Sequence, residues 1–209
     1  GEQPAAAQLH WVEIEPEADY FDEARAMAAA AWGSLTCAEK TKFPNFRGLH
    51  WPGRMHEVVR AGSGQRWLLE GAHNPSGMET SCRALQLDER WNNPWALLFG
   101  STPQSEMDAM LEPLVNLCRR HPPVAIVLTE PQFGRYPGVP CTELASALGQ
   151  HDLHISASFA NPQEAVAWVE AQSSTLTDVL CIGSLYLAGN VLQALGADDD
   201  EALSIVAKD

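Results

Sequence analysis

Short apolar runs alternate with helical patterns from residue 55 to residue 195, and this alternation constrains the fold of the chain more than any other feature. The apolar runs are bounded by turn residues and predict strands, while the stretches between them have the spacing of helices. Parallel strands need a crossover connection, which is usually a helix. The sequence therefore predicts an α/β fold, a Rossmann-like and mostly parallel sheet with helices on both faces.

The first two apolar runs, at 55–60 and 66–71, are joined by a segment that begins AGSG. They predict a hairpin, and hence one antiparallel strand at the edge of the sheet. The other predicted strands are 94–100, 123–130, 152–157 and 177–182, and the predicted helices are 75–87, 105–120, 141–149, 161–172 and 184–195. Ser105 and Asp108 resemble a capping box at the start of the second of these helices.

The first 50 residues are organised differently from the rest of the chain. An alanine-rich run at 20–35 predicts one helix, with Gly33 near its end. Residues 36–50 contain Pro44 and Gly48, which are typical of a connector. We therefore predict an N-terminal extension and linker over residues 1–50 and a single domain over residues 51–209.

The composition excludes several classes of partner. The 209 residues include 27 Asp and Glu but only 13 Lys and Arg, and the formal net charge of −14 disfavours nucleic-acid binding. No apolar run reaches the ~18 residues that a membrane span needs, so no membrane partner is expected. The five cysteines are widely spaced and form no CxxC pair, which favours reduced thiols and a cytoplasmic location.

Three loops that follow predicted strands carry the residue types that binding sites use. They begin at Glu70, Gly100 and Gly183. In a doubly wound sheet, ligands bind beyond the carboxyl ends of the strands, where helix N-termini present N–H groups to anions. We therefore predict a site at one edge of the sheet. Its candidate residues are Glu70, His73, Asn74, Ser184 and Tyr186.

Each candidate also has a structural interpretation. Asn74 and Ser184 are suited to cap helices, Glu70 to be a surface carboxylate, and His73 to be an ordinary hydrogen-bonded histidine. The sequence contains no GxSxG, no HExxH, no GxGxxG after a strand and no P-loop. Hydrolase, zinc-peptidase and dinucleotide-binding motifs are thus absent, and no metal ligand is predicted.

Six segments, in order, resemble the C-terminal domain of the folylpolyglutamate synthase/dihydrofolate synthase family, which are ATP-dependent amide ligases of the Mur ligase superfamily. They are WPGR (51–54), LLEGAHNP (68–75), LLFGS (97–101), MLEPLVNL (110–117), VLTEP (127–131) and GSLYLAG (183–189). The resemblance extends from residue 51 to residue 195. The helix at 20–35 resembles the last helix of the preceding ATPase domain.

The resemblance implies a ligase that activates a carboxylate as an acyl phosphate, which the amine of L-glutamate then attacks. It implies that a P-loop ATPase domain in cis holds most of the ATP and magnesium. The present domain would close over the nucleotide and help to hold glutamate beside a folate or pteroate substrate. Because this sequence has no P-loop, we expect the chain alone to be inactive.

The resemblance also implies roles for individual residues. Arg54 matches the linker arginine and His73 the motif histidine, and both are expected to be catalytic. Ser184 matches the serine of the final loop and is expected to bind substrate, together with Glu70, Asn74 and Tyr186. Glu70 departs from the family, which usually has Asp at this position. Its side chain is one methylene longer, and small displacements of a positioned group can be kinetically costly.

Two alternative interpretations remain open at this point. One is the C-terminal domain of a muramyl-peptide ligase, which shares the architecture but usually has a different motif at the loop that begins at Glu70. The other is a free-standing, non-catalytic binding domain. Within the folate branch, the sequence is compatible with both dihydrofolate synthase and folylpolyglutamate synthase activity, because the pterin contacts would lie outside this chain.

Overall fold

The structure is a computed structural model, and it describes residues 11–14, 20–35 and 51–198. The chain divides into two units, Gly1–Gly48 and Leu49–Asp209. In the first unit the described residues include one helix, α1 (Tyr20–Gly33), as predicted. The predicted connector at 36–50 lies outside the described residues, and the assignment of residues 1–50 to the end of an ATPase domain stays a prediction. No helix in the described ranges is long and apolar enough to cross a membrane.

Residues 51–198 contain a six-stranded sheet and five α-helices. The strands are β1 (His56–Val59), β2 (Arg66–Glu70), β3 (Trp95–Phe99), β4 (Ala125–Thr129), β5 (Ala157–Phe159) and β6 (Asp178–Ile182). The helices are α2 (Pro75–Leu85), α3 (Met107–Arg120), α4 (Cys141–Gly149), α5 (Pro162–Glu170) and α6 (Leu185–Leu195). A short 3₁₀ helix, Glu89–Asn92, precedes β3.

The strand order is β1-β2-β6-β3-β4-β5. Strands β1 and β2 are antiparallel, and every other neighbouring pair is parallel. The predicted α/β fold, with a mostly parallel sheet and one antiparallel edge strand, is therefore confirmed. Strand β6 is the last in sequence but lies between β2 and β3, so the chain reverses direction across the sheet before it ends.

Alternate side chains of the strands pack into two apolar clusters, one on each face of the sheet, because successive strand residues point to opposite faces. On β3, for example, Leu97 belongs to one cluster and Leu98 to the other. Helices α2, α3 and α4 cover the first cluster, and α5 and α6 cover the second. Both faces of the central strands are thus buried, which explains why their sequences are continuous apolar runs.

The predicted strand at 152–157 is wrong. The structure has β5 at Ala157–Phe159, and residues 151–156 form a turn and an irregular segment. Asp152 has a left-handed backbone conformation, with φ of 62°, which continues the turn after α4. The chain joins the sheet only at Ser156, whose N–H donates to the carbonyl of Ile126 at 2.8 Å.

The predicted capping box is also wrong. Helix α3 begins at Met107, its N-cap is Glu106, and no side chain caps it. Ser105 lies in the turn that precedes the helix. Asp108 is therefore the second helical residue and not the third, so the reciprocal pair of a capping box is out of register.

Candidate functional site

The carboxyl ends of three adjacent strands lie at the same level. In the parallel register, Glu70 of β2 and Phe99 of β3 both pair with Ile182 of β6. The residue after each strand is a glycine: Gly71, Gly100 and Gly183. The three loops that the sequence singles out therefore leave the sheet side by side.

This edge of the sheet is its topological switch point. The loops after β2 and β3 lead to α2 and α3 on one face, whereas the loop after β6 leads to α6 on the other face. Loops that diverge in this way leave a crevice between them, which is where ligands bind in open α/β sheets. The sequence-derived candidates thus lie at the part of the fold that is most suited to bind a ligand.

Close backbone approach explains one of the glycines. Gly183 has a φ of +119°, a conformation that side chains rarely adopt. A Cβ atom at this position would lie 2.6 Å from the carbonyl oxygen of Gly100 and 2.7 Å from the Phe99 ring. The loops after β3 and β6 are therefore in direct contact, and a residue larger than glycine would push them apart.

Arg54 and Glu70 form an ion pair at the end of β2. The Nη1 atom of Arg54 donates to Oε1 of Glu70 at 3.0 Å. The side chain of Glu70 is only 2% exposed, whereas that of Arg54 is 22% exposed. The carboxylate is thus enclosed by protein, and the guanidinium retains contact with solvent.

The turn that carries Arg54 is tied to the loop after β2 by backbone contacts. The N–H of Met55 donates to Oε2 of Glu70 at 2.9 Å, and the N–H of Gly71 donates to the carbonyl of Gly53 at 2.7 Å. His56 Nδ1 accepts the N–H of Gly53 at 3.3 Å. Met55 itself has a φ of 43°, in the left-handed region that non-glycine residues seldom occupy.

Leu185, the first residue of α6, joins the third loop to the other two segments. A Cβ atom at Gly71 would overlap its side chain, and one at Gly53 would lie 3.7 Å from its Cδ2 atom. Leu185 is 40% exposed, and the covered part of its side chain lies against two segments that are distant in sequence. Leu185 was not among the candidates predicted from the sequence.

Two candidate residues cap helices at this edge. The Asn74 side chain accepts the N–H of Gly77 at 2.7 Å and caps α2. Ser184 Oγ accepts the N–H of Tyr186 at 3.2 Å and caps α6, and Ser184 is 2% exposed. The structural interpretation of both residues is thus correct, and a role in binding stays a prediction.

His73 is half-buried, and its Nδ1 lies 2.8 Å from the carbonyl oxygen of Gly71. Because a carbonyl only accepts hydrogen bonds, Nδ1 carries the proton in this contact. In the neutral ring, Nε2 is then the unprotonated nitrogen and a proton acceptor. The local contact therefore fixes which nitrogen of His73 is available for chemistry.

Tyr186 is 44% exposed and lies beside the loop after β4. A Cβ atom at Gly134 would be 2.9 Å from Cδ2 of the Tyr186 ring. The same loop is held by Asn190 of α6, whose Oδ1 accepts the N–H of Gln132 at 2.8 Å. This fourth loop, which exposes Phe133 at its tip, was not predicted as part of the site.

Two helix N-termini at this edge lack acidic residues. Helices α2 and α6 have no acidic residue in the first turn, whereas the first turns of α1, α3, α4 and α5 each contain Asp or Glu. Unopposed N–H groups and partial positive charge are the features of anion-binding helix termini. The whole chain has a formal net charge of −14, so the lack of acidic residues at these two helix starts is a local feature.

The residues that the structure describes provide neither a reactive cysteine nor a metal-binding cluster. Burial, and secondly the charge of Glu70, raise the pKa of the Cys181 thiol well above its ordinary value, so it is a poor nucleophile. The described ranges contain no group of three or more His, Cys, Asp or Glu residues that could hold a metal ion. A separate groove of about 550 Å³ between α2 and α3 contains none of the candidate site residues.

Comparison with known proteins gives structural matches only. No protein-family model matches this chain, and no curated protein sequence matches it significantly. Among solved structures, Escherichia coli FolC in complex with DHPP and ADP is 20% identical, with a TM-score of 0.60, over 88% of this chain and 40% of its own. The folylpolyglutamate synthase of Thermotoga maritima is 21% identical, with a TM-score of 0.53, over 72% of this chain and 32% of its own.

A third match is the ligand-free bifunctional folylpolyglutamate synthase/dihydrofolate synthase of Yersinia pestis. It is 19% identical, with a TM-score of 0.59, over 93% of this chain and 44% of its own. The chain thus spans less than half the length of each of these structures. At these identities the comparison establishes the fold: this chain has a fold that is found in folylpolyglutamate synthases, which confirms the resemblance seen in its sequence motifs.

Proposed function

We propose that this chain is the C-terminal, glutamate-ligase domain of an ATP-dependent amide ligase that adds L-glutamate to a folate or pteroate. The observation that supports this most strongly is that the segments carrying Arg54, His73 and Ser184 lie side by side. The N–H of Gly71 donates to the carbonyl of Gly53, and Leu185, which follows Ser184, lies against both glycines, in a sheet with a fold that is found in folylpolyglutamate synthases.

The proposed reaction has two steps. A carboxylate oxygen of the folate attacks the γ-phosphorus of ATP, the bond from that phosphorus to ADP breaks, and an acyl phosphate forms. The amine nitrogen of glutamate then attacks the acyl carbon, the bond to phosphate breaks, and an amide forms. The glutamate ammonium loses one proton to become a nucleophile and a second as the amide forms.

Arg54 is the residue that we assign to the phosphates. A guanidinium has five N–H donors, and the ion pair with Glu70 uses the Nη1 group only. The remaining donors suit phosphoryl oxygens, to which arginine binds with two parallel hydrogen bonds. A cation held in advance at this position stabilises the charge that develops during phosphoryl transfer.

We assign proton transfer to His73 and substrate binding to the helix termini. The contact with Gly71 leaves Nε2 of His73 as the acceptor for a proton from the glutamate ammonium. Ser184 and Asn74 fix the N-termini of α6 and α2, whose N–H groups suit a glutamate carboxylate. Tyr186, on the first turn of α6, is 44% exposed and is accessible to a bound substrate.

The nucleotide and the metal belong mainly to a preceding P-loop domain in this proposal. Two solved neighbours are complexes with nucleotides: E. coli FolC with DHPP and ADP, and Mycobacterium tuberculosis folylpolyglutamate synthase with ADP and AMPPCP. Magnesium would neutralise phosphate charge during transfer. We assign most of its protein ligands to that other domain, as the resemblance implies.

The experiment that tests the proposal is a titration of the isotope-labelled chain with L-glutamate and with ADP, followed by NMR. We expect shifts at the amides of loops 70–75 and 183–186, and we expect no glutamate incorporation into folate by the chain alone. Arg54→Ala should weaken ADP binding, and His73→Ala should leave it unchanged. Shifts confined to other parts of the chain would contradict the site, and turnover by the chain alone would contradict the need for a P-loop domain.

A further inference from the structure

We propose that Glu70 is a positioning residue for Arg54 and not a substrate-binding residue. Its carboxylate holds the guanidinium and the turn at 53–55 in the geometry that a phosphate-bearing ligand needs. The class of ligand rests on the proposed function; the positioning role rests on the contacts alone.

Protein groups engage both carboxylate oxygens of Glu70. Oε1 of Glu70 accepts from Arg54 Nη1 at 3.0 Å, and Oε2 accepts from the N–H of Met55 at 2.9 Å. The side chain is 2% exposed, so almost no surface is left for a ligand. A buried carboxylate with a cation and a backbone donor is satisfied internally.

The length of the Glu70 side chain matches the distance to its two partners. Its two partners are the side chain of Arg54 and the backbone of Met55, which are consecutive residues of one turn. Aspartate would reach about 1.5 Å less far from the same strand position. Both hydrogen bonds would then be too long unless the turn or the strand moved. Glutamate at this position is therefore matched to the turn that it holds.

The conformation of the turn at 53–55 is also held by Glu70. Met55 has a φ of 43°, which is unfavourable for a side chain of its size and persists only where surrounding contacts enforce it. Three contacts do so: Glu70 with the N–H of Met55, Gly71 with the carbonyl of Gly53, and His56 with the N–H of Gly53. Glu70 supplies the contact at Met55 itself.

The ion pair with Glu70 leaves Arg54 able to bind a ligand. Its side chain is 22% exposed, and only Nη1 is engaged by Glu70. An arginine loses considerable conformational freedom when it binds a ligand. If Glu70 orders the guanidinium beforehand, a smaller part of this cost falls on ligand binding.

Electrostatics and positioning predict opposite results for Glu70→Gln. Removing a negative charge beside an anion site should strengthen anion binding if Glu70 acts only through its charge. Binding should weaken if Glu70 acts by orienting Arg54. Glu70→Asp keeps the charge and shortens the side chain, so the positioning role predicts weaker binding for this variant as well.

The experiment compares the wild-type chain with Glu70→Gln, Glu70→Asp and the control Glu112→Gln, which removes a charge from the exposed surface of α3. NMR measures the Arg54 Nε–H signal, the exchange rate of the Met55 amide and the dissociation constant for ADP. We expect both Glu70 variants to lose the ordered Arg54 signal, to exchange Met55 faster and to bind ADP about 3- to 10-fold more weakly. The control should match the wild type.

Two outcomes would overturn the proposal: ADP binding by Glu70→Gln that is as tight as wild type or tighter, or an Arg54 signal as ordered as in wild type. If the wild-type chain binds no ADP, the proposed contact of this domain with the nucleotide loses its support, and the Arg54 and Met55 signals still decide the positioning role. Should Glu70→Gln fail to fold, Glu70→Asp carries the same test, because it retains the buried charge.

Discussion

Two arginine–carboxylate pairs lie at opposite ends of β2 and β6, and they are built differently. At the amino ends, Arg66 and Asp178 are direct partners in the strand register, and Nε and Nη2 of Arg66 lie 2.8 and 2.9 Å from the two carboxylate oxygens. At the carboxyl ends, Arg54 makes one contact of 3.0 Å with Glu70 and comes from a turn outside the sheet. Arg66 thus makes two contacts with its carboxylate, whereas Arg54 makes one contact with Glu70.

The difference follows from how many donors each guanidinium gives to its carboxylate. The two-pronged pair joins neighbouring strands, and the hydrogen bond to Asp178 is the main cause of the raised pKa of Arg66. Thr177 Oγ1 also donates to Oδ2 of Asp178 at 2.9 Å, whereas, within the described part of the chain, the buried Oδ1 has only the ion-pair contact with Nε of Arg66. An arginine–carboxylate pair therefore joins β2 to β6 at the amino ends of the strands. At the carboxyl end of β2, the Arg54–Glu70 pair leaves guanidinium donors that Glu70 does not use.

The largest expected effect is on catalysis. In a ligase that contains this domain and its P-loop domain, Arg54→Ala should reduce turnover about 10²-fold, because it removes an oriented cation from a phosphoryl-transfer site. His73→Ala should reduce the glutamate-dependent step by a similar factor. Steady-state kinetics measure both, and Arg83→Ala, an exposed position on α2, is the control. Near-normal turnover of Arg54→Ala would show that the two pairs do not differ in function.

The next effect is on stability, at the other end of the strands. Arg66→Ala should lower the free energy of unfolding by about 2 kcal/mol, because Asp178 is 1% exposed and would lose its cation. Arg66 itself is 41% exposed, and access of water moderates the loss. Urea denaturation measures it. Arg54→Ala removes the cation from a carboxylate that is almost as deeply buried, so we expect a loss of similar size there, and turnover is the property that should separate the two variants.

The helix caps at the site should show a smaller change. Asn74→Ala and Ser184→Ala should each lower the free energy of unfolding by about 1 kcal/mol, since each removes an acceptor for a first-turn N–H. Asn161, which caps α5 after the edge strand β5, is the matched control. Its alanine variant should lose similar stability without a change in L-glutamate binding. If all three variants bind glutamate equally well, the two caps at the site are structural only.

The smallest effect concerns lysine replacements. Arg66→Lys should cost about 1 kcal/mol, because an ammonium cannot reproduce the two parallel contacts with Asp178. Arg54→Lys replaces a single contact and should cost about 0.5 kcal/mol or less. Thermal melts of the two variants under identical conditions provide the measurement. A reversed order would mean that the Arg54 pair, and not the Arg66 pair, stabilises the strands.

Local sequence signals were sufficient for the elements and for the loops at the switch point. Continuous apolar runs identified the central strands because those strands are buried on both faces. Asn74 before Pro75, and Ser184 before an apolar helix, identified two helix starts, because capping depends on only a few consecutive residues. The same kind of signal failed at Ser105, where the helix begins one residue later than the pattern suggested.

Sequence patterns did not reveal contacts between residues that are far apart in the chain. The sequence placed Glu70 and Arg54 in the candidate site but did not show that they pair with one another across 15 intervening residues. It also missed Leu185, because the packing of one side chain against Gly53 and Gly71 depends on how α6 crosses the sheet. Strand β5 was misplaced because the turn at Asp152, and not β-propensity, decides where the chain meets β4.

The sequence by itself determined the α/β class, the order of the elements and the residue types at the carboxyl ends of the strands, because these depend on periodicity and on short-range hydrogen bonds. The tertiary structure alone decided that β6 lies between β2 and β3, which brings the loops at Glu70 and Ser184 together. It also decided that Glu70 is buried and that Arg54 is half-buried. Those properties arise from the packing of segments far apart in the chain, where burial of apolar surface, rather than local preference, fixes which groups meet.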